Sequence, residues 1–531
     1  MFVSSLASSF ALALAFAPPP PPEPDPLVEK APEQIKRTQK EDSAFQIYGY
    51  FLTRAEMTNV SPQNDLFKGQ IVGRLFGPNT TTTSPDRAIF LEQRLIPFII
   101  AEPKLLDRRA RLRASFELDW TFGDTSNSTG GNFGSAITAD QVNLQTQNVA
   151  VEIDLWKGWS VNVGLQRLYD TALDPYRTPI SNIQLSGNRM AFWGTDAVGV
   201  VLHGNQWGQR FKIGAYQLYE NLIQKDDDVA LFELATDRHL GKTWHVGGHL
   251  RYLRDASMGQ GGIGILGQGP DSSLVDYNGG YRFTIPDGTE SWRGHFAWVG
   301  GDTSFNPELT AGRFGGSAFA VGNFGQIVTS IPNQPGDYQK LANVLGVAAN
   351  VRAAARWGKS PRDHVTLDVL YTSGDHDGLE DGTYSGVVTG NTWGSPAAVF
   401  TTFGTYLLLP HANVVNRFYA AATDISNIGY GLTAASLGFG ADIVRNQLYG
   451  RIGGAVAQSN IQPVGGKKFM GAEVNGTISW RVRPLLSIEG HAAYLRLGDY
   501  FRSPEIVTGS TGAGRPKDPW TVFLTLKWLL V

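Results

Sequence analysis

The chain has 531 residues, 42% apolar and 18% charged, with a formal net charge of -3 and no cysteine. The near-neutral balance without a basic block argues against a nucleic-acid partner, and no apolar run is long enough for a membrane-spanning helix. Composition is even after Ser43, with 62 Gly, 28 Phe, 18 Tyr and 13 Trp, which suits one large sheet better than several small domains.

Residues 6–16 form an Ala/Leu-rich apolar run that ends in small-residue sites suited to signal peptidase. This divides the chain into a signal peptide over 1–17, a Pro-rich periplasmic tether over 18–43 and a barrel over 44–531. The proline run at 18–26 is expected to be extended, and the tether is too short to fold into a plug. Lack of cysteine fits export through an oxidising compartment.

From Phe45 onward, segments with an apolar residue at every second position recur to the end of the chain. In 468–483, Met470, Ala472, Val474, Gly476, Ile478, Trp480 and Val482 share one parity, whereas Glu473, Asn475, Thr477, Ser479, Arg481 and Arg483 share the other. A period of two places these sets on opposite faces of a strand. Strands are expected over 45–56, 88–100, 109–122, 147–156, 159–169, 191–203, 210–220, 229–239, 243–254, 275–285, 290–300, 342–357, 363–373, 429–443, 447–458, 468–482, 485–498 and 520–530.

Short connections such as Lys157-Gly158 and Arg483-Pro484 alternate with long stretches rich in Gly, Asn, Asp, Ser and Thr, among them 123–145, 302–339 and 374–428. Such asymmetry belongs to outer-membrane barrels, which keep tight periplasmic turns and extended external loops. The expected fold is all-β, an antiparallel transmembrane β-barrel of about eighteen strands in which the first and last strands close the sheet. Trp156, Trp159, Trp244, Trp357, Trp480 and Trp528 fall beside the short turns, where an interfacial aromatic belt would need them. The last strand carries Val522, Leu524, Leu526, Trp528 and Leu530 on one parity, the pattern read by the outer-membrane assembly machinery, although the final residue is Val531 rather than an aromatic.

A barrel of this strand number encloses a water-filled passage unless something plugs it. Because charges on the lipid face are costly, parity assigns Arg111, Arg113, Glu117, Asp119, Arg251, Arg293, Arg352, Arg356, Arg451, Arg481 and Lys527 to the lumen, together with His245, His249, His295, Glu152, Asp154, Asp368 and Glu489. The arginine clusters either steer anions, as basic rings do in anion pores, or pair with the lumen carboxylates. Localisation to the outer membrane of a Gram-negative bacterium follows, with outer-membrane lipids and a hydrophilic or anionic solute or polysaccharide as partners.

Tyr48-Gly49-Tyr50 with Arg54, the run Leu91-Glu92-Gln93-Arg94-Leu95 leading into Arg111-Leu112-Arg113, and Leu370-Tyr371-Thr372-Ser373-Gly374-Asp375 before a long loop make the chain resemble the alginate-export type of outer-membrane barrel. The resemblance implies a monomeric channel whose arginine-lined lumen conducts a polyuronate outward. It places that role on Arg111, Arg113, Arg352 and Arg481. A general or anion-preferring porin is equally consistent with the residues themselves.

The longest loop, 374–428, is expected to constrict the lumen or cap its mouth. Asp375, Asp377 and Asp381 at its start offer oxygen ligands around glycine turns, a pattern open to calcium or to a solvated acidic loop; no other cofactor is expected. His203, His239, His245, His249, His295, His364 and His491 are scattered, with no Ser-His or paired-acid motif, so the reading is a passive channel and not an enzyme. The rival readings are an outer-membrane barrel enzyme or adhesin with an occluded lumen.

Overall fold

Successive long strands pair antiparallel in chain order, and the last pairs with the first, so no edge is left open. In this computed structural model, the described residues are 44–60, 64–67, 71–72, 75–76, 87–103, 107, 109–122, 134–135, 143–168, 171–173, 196–219, 226–257, 292–331, 337–388, 404–409, 422–423, 425–507 and 515–530. The signal peptide and tether expected over 1–43 lie outside them.

Eighteen long strands make the barrel. They are β1 (Phe45–Thr58), β2 (Ala88–Ala101), β3 (Ala110–Phe122), β4 (Asn143–Trp156), β5 (Trp159–Arg167), β6 (Asp196–Gln206), β7 (Gln209–Tyr219), β8 (Val229–Leu240) and β9 (Trp244–Asp255). The second half is β10 (Trp292–Phe305), β11 (Phe314–Ser330), β12 (Tyr338–Arg356), β13 (His364–Thr372), β14 (Leu432–Val444), β15 (Leu448–Ser459), β16 (Phe469–Arg483), β17 (Leu486–Leu497) and β18 (Trp520–Leu530). The barrel closes with Gly49 opposite Leu530 and Thr58 opposite Thr521.

The count agrees with the sequence expectation, but two elements differ. β9 pairs directly with β10, so no strand over 275–285 stands between them; that segment lies outside the described residues. The stretch 302–339, expected as one loop, instead holds the end of β10, the turn 306–313 and all of β11. Four glycines, Gly315, Gly316, Gly322 and Gly325, give β11 the composition of a loop. At Gly325 a Cβ would come within 2.8 Å of the Phe296 side chain, so the absence of a side chain there is a packing requirement of the β10–β11 pair.

Alternation gives the barrel its two faces. Val149, Val151 and Ile153 on β4, Leu345, Val347 and Val351 on β12, and Val522 and Leu524 on β18 point outward and are exposed, while their neighbours of opposite parity are covered from within. Around the turn end the outer face carries Trp156, Trp207, Trp244, Phe305, Phe314, Trp357, Trp480 and Trp528, with Trp244 against Phe305 at 5.3 Å and Trp357 stacked on Phe439 at 5.2 Å. Trp159 is half-buried, lying parallel to Phe211 at 6.3 Å. Phe232, Tyr252, Tyr371, Phe469 and Tyr494 form a second aromatic set at the loop end. On β9, Trp244 and Tyr252 stand about 26 Å apart along the strand at 3.3 Å per residue, or about 20 Å along a tilted barrel axis, close to the apolar band of membrane barrels.

The turns are tight where the chemistry allows. Trp207 and Gly208 adopt φ of 54° and 73°, the twist of a two-residue hairpin turn that favours glycine in the second place. One bulge alters parity: Met470 has no partner between the Ala457–Gly471 and Gln458–Phe469 pairs, and its side chain turns inward, fully buried, instead of outward with Ala472.

Candidate functional site: the lumen

Inward parity brings most of the expected residues to the inner wall, where carboxylates meet them. Arg111 sits directly opposite Glu152 and bonds it at 2.6 Å; it also reaches Asp154 at 2.6 Å and Glu102 at 3.1 Å, and Arg113 takes the other Glu152 oxygen at 2.6 Å. The side chains of Glu117 and Asp119 lie outside the described residues. Arg251 is fully buried near Glu233, which is also bound by Lys212 at 2.6 Å and by the Tyr216 hydroxyl at 2.5 Å. His245 joins Asp237 and faces Asp302 at 3.7 Å. Lys527 holds Glu489 at 2.6 Å. Arg54 with Glu56, Lys212, Glu233 and Asp237 belong to this network but were absent from the expected set, although their parity marks them as inward.

A more basic sector lies toward the turn end of β12 to β16. Arg352 stands in register with Asp368 and feels the charge of Arg451. Arg356 is buried, and its Nε and Nη1 have no hydrogen-bond partner among the described residues. Arg362, in the turn before β13, bonds Asp442 at 3.3 Å and lies over the Tyr449 ring at 4.1 Å. Burial lowers its pKa, Asp442 opposes that shift, and neighbouring Arg481 adds to it. A cavity of about 320 Å³ opens beside Arg362, Arg481, Tyr50 and Lys527.

Arg293 and His295 do not face the lumen. On β10 the inward parity belongs to Trp292, Phe296 and Trp298, and Arg293 and His295 share the outward parity of Val299. Arg293 bonds Asp226 at 3.1 Å and covers the Tyr338 ring at 4.9 Å; His295 Nδ1 meets the Tyr252 hydroxyl at 2.6 Å. Both stand at the loop end, where a polar tip reaches the interface while its stem stays in the apolar band, so parity alone misassigned them.

The inner wall also carries an apolar patch, which parity did not flag. Trp298, Phe319, Val321, Ala342 and Val344 on β10 to β12 are buried in one cluster with Leu379, Tyr384, Val387 and Val388 of the long loop between β13 and β14. The loop enters the barrel and covers them. Residues 383–384 add a short parallel strand beside Asn343 and Val344. The Trp298 indole donates to the Val388 carbonyl at 2.8 Å, and the Val388 amide donates to Asn323 at 3.0 Å.

A second piece of the same loop, 404–409, lies against β16 to β18. Leu407, Leu408 and Leu409 are buried, and the Tyr406 hydroxyl meets Thr477 at 2.5 Å and His491 at 3.0 Å. The return of the loop is fixed at Asn427, fully buried, whose amide donates to Gly431 O at 2.9 Å and Ser459 Oγ at 3.0 Å while its oxygen accepts from Tyr500 at 2.8 Å. Of the two expectations for 374–428, the described pieces fit a constriction within the lumen.

Two of the three aspartates at the start of that loop serve its backbone. Asp375 Oδ1 accepts from the Gly378 amide at 2.6 Å, and Oδ2 accepts from the Ser385 amide at 2.6 Å and hydroxyl at 2.9 Å. Asp381 caps the Thr383 amide at 2.7 Å. Asp377 is exposed, and among the described residues Asp375, Asp377 and Asp381 are not drawn together into a three-carboxylate group.

The fold and the lined lumen define a closed, eighteen-stranded transmembrane-type β-barrel. No family model and no curated protein matches the chain. Among solved structures it is similar to OccK2 (OpdF) of Pseudomonas aeruginosa in complex with glucuronate, at 10% identity over 92% of this chain and 99% of that one, with a TM-score of 0.45. A BenF-like porin from Pseudomonas fluorescens Pf-5 matches at 10% identity, 92% and 99% coverage and a TM-score of 0.46. OccAB4 of Acinetobacter baumannii matches at 9%, with 92% and 98% coverage and a TM-score of 0.45. Likeness this distant says nothing about solute or mechanism, and these names do not point to alginate export in particular.

Proposed function

We propose that the protein is a Gram-negative outer-membrane channel for passive diffusion of hydrophilic solutes, with a preference for anions. The observation that carries this reading is the pairing of an apolar, aromatic-girdled outer face with a charged inner face on one closed barrel. A lipid-facing surface of that kind needs a bilayer, and a charged interior of that strand number needs water. The basic sector at Arg352, Arg356, Arg362, Arg451, Arg481 and Lys527 supports anion preference, because these six cations outnumber the four carboxylates beside them, Asp363, Asp368, Asp442 and Glu489. Elsewhere carboxylates balance the arginines. Two loop pieces within the lumen favour small solutes over a polymer such as alginate. No covalent chemistry is invoked.

The test is single-channel conductance and reversal potential of the refolded protein in a planar bilayer under a salt gradient, with and without an oligouronate. Anion-selective current that the oligomer leaves unblocked fits the proposal; block by the oligomer supports the alginate-export alternative. A folded barrel with no conductance would remove the channel reading and bring forward an enzyme or adhesin with an occluded lumen.

A further inference from the structure

One carboxylate of the inner wall stands apart from its ion-pair network. Glu473 on β16 is buried, and its interactions are hydrogen bonds: its oxygens accept the amide of Tyr406 at 2.6 Å, of Leu407 at 3.0 Å and of Leu408 at 2.8 Å. Asn475 Nδ2 donates a fourth bond at 2.8 Å. Three consecutive amides converging on one point form a concave anion site, and here the wall supplies the anion. Without it, three covered amides of an irregular segment would be left without acceptors, which that segment can avoid only by moving into water.

We propose that Glu473 is the positioning residue of the lumen constriction: its carboxylate holds 404–409 against the wall and thereby sets the width of the passage. Asn475 braces the same contact, since its Nδ2 also donates to the Gly404 carbonyl at 2.6 Å and its Oδ1 accepts from Arg451 at 3.0 Å. Arg451 thus serves the brace that holds the loop. The claim about width rests on the channel reading above; the claim about docking does not.

Because the chain has no cysteine, Leu408→Cys gives a clean reporter for labelling by a charged, water-soluble maleimide. It is combined with Glu473→Ala and, separately, Glu473→Gln, in barrels whose closure is checked by heat-modifiable gel mobility. The expected result is labelling faster by about tenfold or more in Glu473→Ala, as local opening becomes easier, a smaller gain in Glu473→Gln, which keeps one acceptor oxygen, and a larger, noisier single-channel current in both. Unchanged labelling overturns the proposal whether or not the protein conducts. Faster labelling with unchanged current overturns the claim about width. Absence of current from the parent protein counts against the channel reading alone and leaves labelling to decide docking. If Glu473→Ala does not close into a barrel, Glu473→Gln decides by the same labelling.

Discussion

Glu152 lies directly opposite Arg111 in the β3–β4 ladder and binds both Arg111 and Arg113 at 2.6 Å, one on each oxygen. It is only 1% exposed, so the two guanidinium groups replace water as its solvation. Replacing both arginines with glutamine takes two cations away from a covered carboxylate. The double variant is expected to lose about 3–5 kcal/mol of unfolding free energy in urea titration from micelles, and its reversal potential should move toward cations. An unchanged urea midpoint would mean that Glu152 is solvated by other means.

Arg293 offers the opposite expectation. It stands on the outer face with Asp226 and Tyr338, so Arg293→Gln should leave the reversal potential where it is, while Arg352→Gln should reduce anion preference. Equal effects of the two on selectivity would return Arg293 to the lumen.

Tyr430 donates to Glu505 at 2.9 Å, and Glu505 also accepts the Val464 amide at 3.0 Å, tying three external loops together. Burial and the Glu505 contact push the Tyr430 pKa up to about 12. A group whose folded pKa exceeds its unfolded value stabilises fully below the unfolded value, near 10, and loses that contribution as pH rises toward 12. Loop protection in hydrogen exchange should therefore fall between about pH 10 and 12 in the parent protein. In Tyr430→Phe it should start lower and change less over the same interval; identical profiles would contradict the linkage.

Gly204 lies beneath the Trp159 ring, where an added Cβ would meet ring atoms at 2.5 Å. Gly204→Ala must push the indole from its place over Phe211, and a cost of about 1–3 kcal/mol is expected. Thermal unfolding followed by gel mobility reads the loss, and an unshifted transition would show that the ring swings aside freely.

How far the sequence carried depended on which feature was strictly local. Alternation is local, so β4, β15 and β16 were visible as strands from their own residues, and inward parity marked Arg111, Arg352 and Lys527. β11 was missed because Gly315, Gly316, Gly322 and Gly325 speak of turns until the Phe296 ring of the adjacent strand is known. Conversely, 275–285 alternates convincingly, but β9 and β10 pair with each other, so no strand stands between them.

Within the site, parity says which face a charge takes; register and side-chain reach decide whether Glu152 neutralises it. The docking of 404–409 depends on Glu473, far away in the chain. The one local hint was Tyr406-Leu407-Leu408-Leu409, an apolar run inside a polar loop that had to be covered by something.

The seam between β1 and β18 makes the ring depend on both ends of its strand set at once. A chain cut before β18 would keep every other ladder and still leave the edge of β1 that receives residues 521–530 as a free row of amides and carbonyls, open to any other extended chain, its own copies included. Loss of one terminal strand is therefore a fault of the whole ring and not of its last piece alone.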